Sequence, residues 1–253
     1  MDLTVGTYNL RNGGDNGLTP RLDRQLAMLK RQGFDVLALQ EAKRWNRDRR
    51  RLLYRAEAAL GMRATLVKSA HHGCHLVLCV NTARVQIVED RHERGHPYWH
   101  GVVGHRIIVD GRVEADVVAV HLAPSSPRIR LAEAESLQLV VKAAAGRPLV
   151  LMGDFNAVPS NHTGASGSAR KRDPRPALAL EETLIDVGAV WEDHTPTVGH
   201  EPGTMAYRAD RIYTNLPPEA VDDYAVVPEE EPLSDHLLVK ATLSQFSLGP
   251  GVA

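Results

Sequence analysis

The chain has 253 residues, 43% of them hydrophobic, enough to bury one sizeable core and within the range of a single two-layered domain. Thirty Lys and Arg against 31 Asp and Glu leave a net charge of -1, which excludes a globally basic nucleic-acid binder and leaves only a local patch to meet a polyanion. No apolar run approaches the ~20 residues that a spanning helix needs, so no membrane insertion is expected. Cys74 and Cys79 lie in an apolar segment, and no signal-like hydrophobic region opens the chain. The expectation is two small buried hydrophobes in a reducing, cytoplasmic setting.

In chain order the elements alternate. Leu3 to Leu10 reads as a strand that leaves through a Gly-rich turn, Asn12-Gly13-Gly14. Thr19-Pro20 opens a helix in which Leu22, Leu26 and Leu29 recur at helical spacing, and Gly33 ends it. Phe34 to Leu39 is the next strand and stops on Gln40-Glu41. Six cations and one anion then occupy 43–51, leading into a helix through Leu52, Leu53, Ala56 and Leu60 that Gly61 closes. Strands are expected at 63–67, 76–80 and 85–88, whereas 91–105 is polar and His-rich and takes no assignment. Arg106 to Val109, Asp110-Gly111 and Val113 to Val120 form a hairpin signal, since Asp-Gly suits a type I′ turn. A helix from Pro127 feeds the apolar run Leu149 to Met152, which ends in Gly153-Asp154-Phe155-Asn156. Ser160 to Pro176 reads as a long loop, followed by a short helix near 177–183 and strands at 210–214, 224–227 and 237–243. The expected organisation is one catalytic domain over 1–246 with a frayed tail at 247–253.

Polar residues recur at the ends of these strands: Asn9, Glu41, His121, Asp154, Asn156, Asp210, Asp235 and His236. Four carboxylates, two carboxamides and two histidines without a thiolate form a hard-oxygen set, suited to Mg²⁺ or Mn²⁺ rather than to structural zinc. Such an ion neutralises phosphate charge and acidifies bound water. A carboxylate beside an imidazole fixes its tautomer and favours its charged form.

Six motifs in order, Tyr8-Asn9, Leu39-Gln40-Glu41, Val120-His121-Leu122, Gly153-Asp154-Phe155-Asn156, Asp210-Arg211-Ile212 and Ser234-Asp235-His236, resemble those of the endonuclease/exonuclease/phosphatase superfamily. That superfamily includes deoxyribonuclease I, abasic endonucleases, sphingomyelinases and inositol-polyphosphate 5-phosphatases. The resemblance implies an α/β, four-layered sandwich: two mixed β-sheets face to face with helices outside. It also implies a divalent-metal-dependent phosphoester hydrolase with Glu41, Asn9 and Asp235 as metal ligands. Asp154 would orient or deprotonate the attacking water, Asn156 would hold water and phosphate oxygens, His236 oriented by Asp210 would serve as base or phosphate stabiliser, and His121 would bind or protonate the phosphate. One departure is the segment His71-His72-Gly73-Cys74-His75, where relatives carry a Tyr or Glu, so the partner of His121 is open.

Substrate is less constrained. Lys43, Arg44 and Arg47 after Glu41, Arg128 after His121, and Arg170 and Arg172 after Asn156 are candidate phosphate contacts, with Arg11 a minor one. They favour a nuclease or phosphodiesterase acting on DNA or RNA. The alternative is a phosphatase or phosphodiesterase on a nucleotide, sugar phosphate or lipid headgroup, gripped by the same arginines. No obligate protein partner is evident.

Overall fold

The computed structural model describes residues 2–144, 146–164, 169–229 and 231–244. Twelve strands form two six-stranded sheets among them. The first contains β1 (Leu3–Asn9), β2 (Val36–Gln40), β3 (Arg63–Val67), β4 (Leu76–Val80), β11 (Val221–Val227) and β12 (Leu238–Leu243), in the order β11-β12-β1-β2-β4-β3. The second contains β5 (Val85–Glu93), β6 (Val102–Val109), β7 (Val113–His121), β8 (Leu149–Asp154), β9 (Ile185–Asp186) and β10 (Asp210–Thr214), in the order β5-β6-β7-β8-β10-β9.

Burial explains the layering. Val5, Val36, Ala38, Leu76 and Leu78 of the first sheet meet Val103, Ile107, Val117, Val150, Met152 and Ile212 of the second in one core. Each fully buried Val, Leu, Ile or Met among them contributes about 1.5–3 kcal/mol. Helices α2 (Arg21–Arg31) and α3 (Arg51–Leu60) lay Leu22, Leu26, Leu29, Leu53 and Ala56 on the other face of the first sheet, against Tyr8, Leu37, Leu39 and Val77. Helices α4 (Pro127–Ala144) and α5 (Arg175–Glu181) cover the second sheet in the same way through Ala134, Leu137 and Leu180. Strands covered on both faces must be apolar throughout, which is why β2 and β4 are buried at every position. The four-layered sandwich that the motifs implied is the fold.

Each sheet contains one parallel pair with a helix between its strands in sequence, β1–α2–β2 and β7–α4–β8. Parallel strands end on the same side, so each pair delivers its last residues together: Asn9 pairs with Gln40, beside Glu41, and His121 pairs with Asp154. At the second pair the strands approach so closely that only glycine fits. A Cβ on Gly153 would lie 2.0 Å from the Val120 carbonyl oxygen.

Several boundaries differ from the sequence reading for identifiable reasons. Helix α2 is capped by Pro20 rather than by Thr19, whose Oγ1 still accepts the Arg21 N–H at 3.3 Å. Asp110 and Gly111 both have positive φ, 46° and 68°, as the hairpin turn requires. Strand β5 runs past the expected 88 into the start of the unassigned segment, ending at Glu93, because an edge strand exposed on much of its length needs no apolar alternation, and β6 begins within that segment at Val102. The single turn α1 (Arg11–Asp15) holds Asn12, Gly13 and Gly14 left-handed, and α5 starts two residues before the expected 177. Two short elements, β9 and α6 (Val187–Val190), are too brief to carry a period. The tail at 247–253 and part of the long loop, 165–168, lie outside the described residues.

Candidate active site

Asp154 is the hub. It ends β8, is 1% exposed, and receives four side chains on Oδ2 alone. Asn9 Nδ2 donates to it from the other sheet at 3.2 Å and Asn156 Nδ2 from its own turn at 3.3 Å. His121 Nε2 lies 3.4 Å away and His236 Nε2 3.8 Å away. Oδ1 accepts the Asn156 backbone N–H at 2.9 Å, an Asx turn made possible by the left-handed Asn156, φ 51°. Asp154 and Asn156 therefore converge through a turn rather than along an extended strand. Burial by itself would push the Asp154 carboxyl up; the charge of His236 and the hydrogen bond from His121 outweigh it and hold the group well below the usual carboxylate range.

His236 is fixed from behind. Its Nδ1 pairs with Asp210 Oδ2 at 2.8 Å, so Nε2 faces Asp154. Asp210 is held in turn by Thr197, whose hydroxyl donates to Oδ2 at 2.7 Å while accepting the backbone N–H groups of Ala209 and Asp210. Burial disfavours the charged imidazole, but Asp210 and Asp154 more than compensate and push His236 up to about 10.

Asn156 also donates to the Leu122 carbonyl at 3.1 Å and accepts from Lys171 Nζ at 2.6 Å. On the first-sheet side, Glu41 Oε2 accepts the Asn12 backbone N–H at 2.9 Å and lies 4.0 Å from Lys43 Nζ. Ser234 ties the last motif to the first by donating to the Asn9 carbonyl at 2.7 Å. Asp235 faces Arg11 across 3.7 Å.

Glu41, Lys43, His121, Asp154, Asn156 and His236 line one pocket of about 250 Å³. A second hollow, about 560 Å³, begins on the other side of His236 and includes Arg11, Asp235 and His200. Of the other cationic candidates, Arg44 and Arg47 are exposed beyond Glu41 and are not among the lining residues. Arg128 lines a separate hollow with His71 and Trp99, whose rings stack at 3.6 Å. Arg170 and Arg172 are exposed; Lys171 between them is the member of that cluster that reaches the site.

The sequence reading missed His100. It stacks on His121 with ring centroids 4.2 Å apart, lines the same pocket, and bonds Ser69 Oγ through Nδ1 at 2.9 Å. Burial, then the neighbouring His121, pushes its pKa down to about 2. It sat in the unassigned polar stretch, with no motif to mark it. Cys74 lines the pocket and Cys79 the outer core; both are free thiols pushed up to about 12, chiefly by burial.

Asn9, Glu41 and Asp235 present only oxygen donors, and such a set fits a hard divalent cation. Asp154, Asp210 and His236 also cluster, with one atom of each within 4.8 Å of the others. There, however, both His236 nitrogens face carboxylates, Nδ1 at 2.8 Å from Asp210 and Nε2 at 3.8 Å from Asp154, while Asp210 Oδ1 has no hydrogen-bond partner.

A family model described as "Endonuclease/Exonuclease/phosphatase family" matches residues 6–236. The chain belongs to that family, whose members hydrolyse phosphoesters. No curated protein matches it in sequence. Among solved structures it is similar to a humanized D. rerio TDP2 with 14 mutations, at TM-score 0.77 and 17% identity, covering 96% of this chain and 99% of that one. A mannosyl-6-phosphatase from Bacteroides thetaiotaomicron is similar at TM-score 0.68 and 20% identity, over 94% and 98%. The human Nocturnin catalytic domain has a TM-score of 0.68 and 18% identity, over 96% and 93%. At these identities the likeness shows the fold. No helix among the described residues is long and apolar enough to cross a membrane.

Proposed function

We propose that the chain is a divalent-metal-dependent phosphodiesterase acting on DNA or RNA, cleaving a P–O bond by in-line attack of water. The observation that carries this reading is the convergence of Asn9, His121, Asn156 and His236 on one buried carboxylate, beside oxygen donors on the opposite sheet. Glu41, Asn9 and Asp235 would hold Mg²⁺ or Mn²⁺, which supplies charge neutralisation at the phosphate. Asp154 orients the attacking water, its own geometry fixed by the Asn9 and Asn156 amides with the His121 and His236 rings alongside. His121 and His236 line the pocket and would meet the phosphate oxygens through the Nε2 atoms that lie beside Asp154, with Lys171 Nζ adding a positive charge behind Asn156.

The polynucleotide substrate is supported by the exposed cations after Glu41 and by the second hollow, which extends the site on the far side of His236. One similar structure is of D. rerio TDP2 complexed with single strand DNA product. A phosphatase acting on a small phosphorylated metabolite is the second reading, favoured by the 250 Å³ of the central pocket, below the usual size of a ligand cleft.

The test is turnover on plasmid DNA and oligonucleotides against a panel of phosphomonoesters, with Mg²⁺, Mn²⁺ or EDTA. Polynucleotide cleavage abolished by EDTA is expected; turnover confined to monoesters would select the second reading. Replacing Arg47, Arg49, Arg50 and Arg51 by Ser should flatten the salt dependence of polynucleotide binding by up to ~2–4 units of slope, leaving a small aryl phosphodiester turned over as before.

A further inference from the structure

Outside the active site, Asp90, His92 and His105 meet where β5 pairs with β6. The register sets Asp90 opposite His105 and His92 opposite Val103. Opposed residues share a face, and alternation places His105 on the face of Val103 and Ile107, which belong to the core between the sheets. The three side chains thus gather at the margin of that core, along an edge strand. One ligand atom from each lies within 4.8 Å of the others. His105 Nδ1 is 2.9 Å from Asp90 Oδ1, His92 Nε2 is 4.0 Å from Asp90 Oδ2, and the two imidazoles meet edge to face at 5.4 Å.

His105 supplies an independent sign of a missing partner. Its side chain is 0% exposed, yet neither ring nitrogen makes a hydrogen bond of acceptable geometry, Nδ1 included despite its approach to Asp90. Buried polar atoms are normally satisfied, and an unpaired one bears its full desolvation penalty. Aimed at an exposed carboxylate and a second imidazole, this ring is disposed to donate a lone pair.

We propose that Asp90, His92 and His105 form a second metal site, for a late first-row divalent ion of the zinc type. Two imidazoles and one carboxylate are a donor set used for such ions, with a coordination position left for water. It contrasts with the all-oxygen set near Glu41, and its ion would clamp the edge strand β5 to β6.

Calorimetry of the tag-free chain with Zn²⁺ in excess Mg²⁺, which competes for oxygen-only sites, tests this. One Zn²⁺ per chain is expected. His105→Ala, His92→Gln and Asp90→Asn should each weaken its affinity at least ~10-fold, the scale seen when a metal site loses a supporting group, while Glu41→Gln leaves it unchanged. Because His105→Ala disturbs a buried position, the decisive variants are His92→Gln and Asp90→Asn, at more exposed positions; their melting temperatures in EDTA should match the parent. Zn²⁺ should raise the melting temperature of the parent and of Glu41→Gln but not of His92→Gln. Absent binding, binding lost with Glu41→Gln, or equal affinity in His92→Gln and Asp90→Asn would overturn the proposal.

Discussion

The two sheets treat their charged strand ends differently. On the first sheet, Glu41 and Asp235 keep 24% and 49% of their side-chain surface in solvent. On the second, Asp154 and Asp210 keep 2% and 0%, and imidazoles, carboxamides and a threonine surround them. An exposed oxygen remains free to exchange ligands, whereas a buried one is pre-oriented because its partners are fixed before the substrate arrives. On the proposed function, this difference would separate the side that holds an ion from the side that aligns water and phosphate.

Substitutions on the two sides should fail differently, and the largest effect belongs to the buried side. Asp154→Asn should lower kcat by ~10³-fold or more, the scale for a preorganised polar group at the reacting centre, with metal affinity kept. Glu41→Gln should instead weaken metal affinity in calorimetry and recover turnover as Mg²⁺ is raised. Equal recovery of both variants with added metal would erase the distinction.

Next is Gly153→Ala, which sets a methyl against the Val120 carbonyl. Denaturant unfolding should show a loss of about 2–4 kcal/mol, the range for strain at a closely packed site, with turnover falling because His121 and Asp154 are neighbours across this contact.

A pH effect sharpens the contrast from behind the pocket. Glu133 on α4 is buried and accepts the N–H groups of Trp99 and Ala123; burial, only partly offset by these bonds, pushes its pKa up to about 7. An acid whose folded pKa is raised stabilises the fold while protonated. That contribution is fully present below about 4.5 and is lost as pH rises through 7, by an amount on the order of 3 kcal/mol. Urea unfolding from pH 4.5 to 8 should show this decline in the parent and a flatter profile in Glu133→Gln.

The smallest effect expected is that of His100→Ala. Removing a ring that supports His121 without meeting Asp154 should cost about 5–10-fold in kcat, read in steady-state assays beside a native circular dichroism spectrum. A loss as large as that of Asp154→Asn would place His100 among the reacting groups.

Strand ends were legible because burial on both faces writes an uninterrupted apolar run, and a polar residue ending such a run stands out: Glu41, His121 and Asp154 were all marked this way. Supporting residues were less so. Thr197, His100 and Lys171 come from irregular segments where no period exists, and only tertiary placement brings them to the site. Lys171 illustrates the difficulty: three adjacent cations look alike in sequence, yet the flanking two are exposed while the middle one is turned toward Asn156. The edge strand beyond Val88 was hidden for the opposite reason, since solvent on much of its surface removes the apolar signal.

Strand β1 pairs with β12, so the first and last strands in sequence lie side by side while the whole second sheet is drawn from the residues between them. During synthesis, Asn9 and Glu41 leave the ribosome early and Asp154 midway, but Asp235 and His236 arrive just before the strand that closes the first sheet. A nascent chain can therefore assemble most of its core and still lack the imidazole that faces Asp154. Setting that imidazole in place rests on pairing residues as far apart as Leu3 and Leu243, a long-range closure of the kind that slows folding.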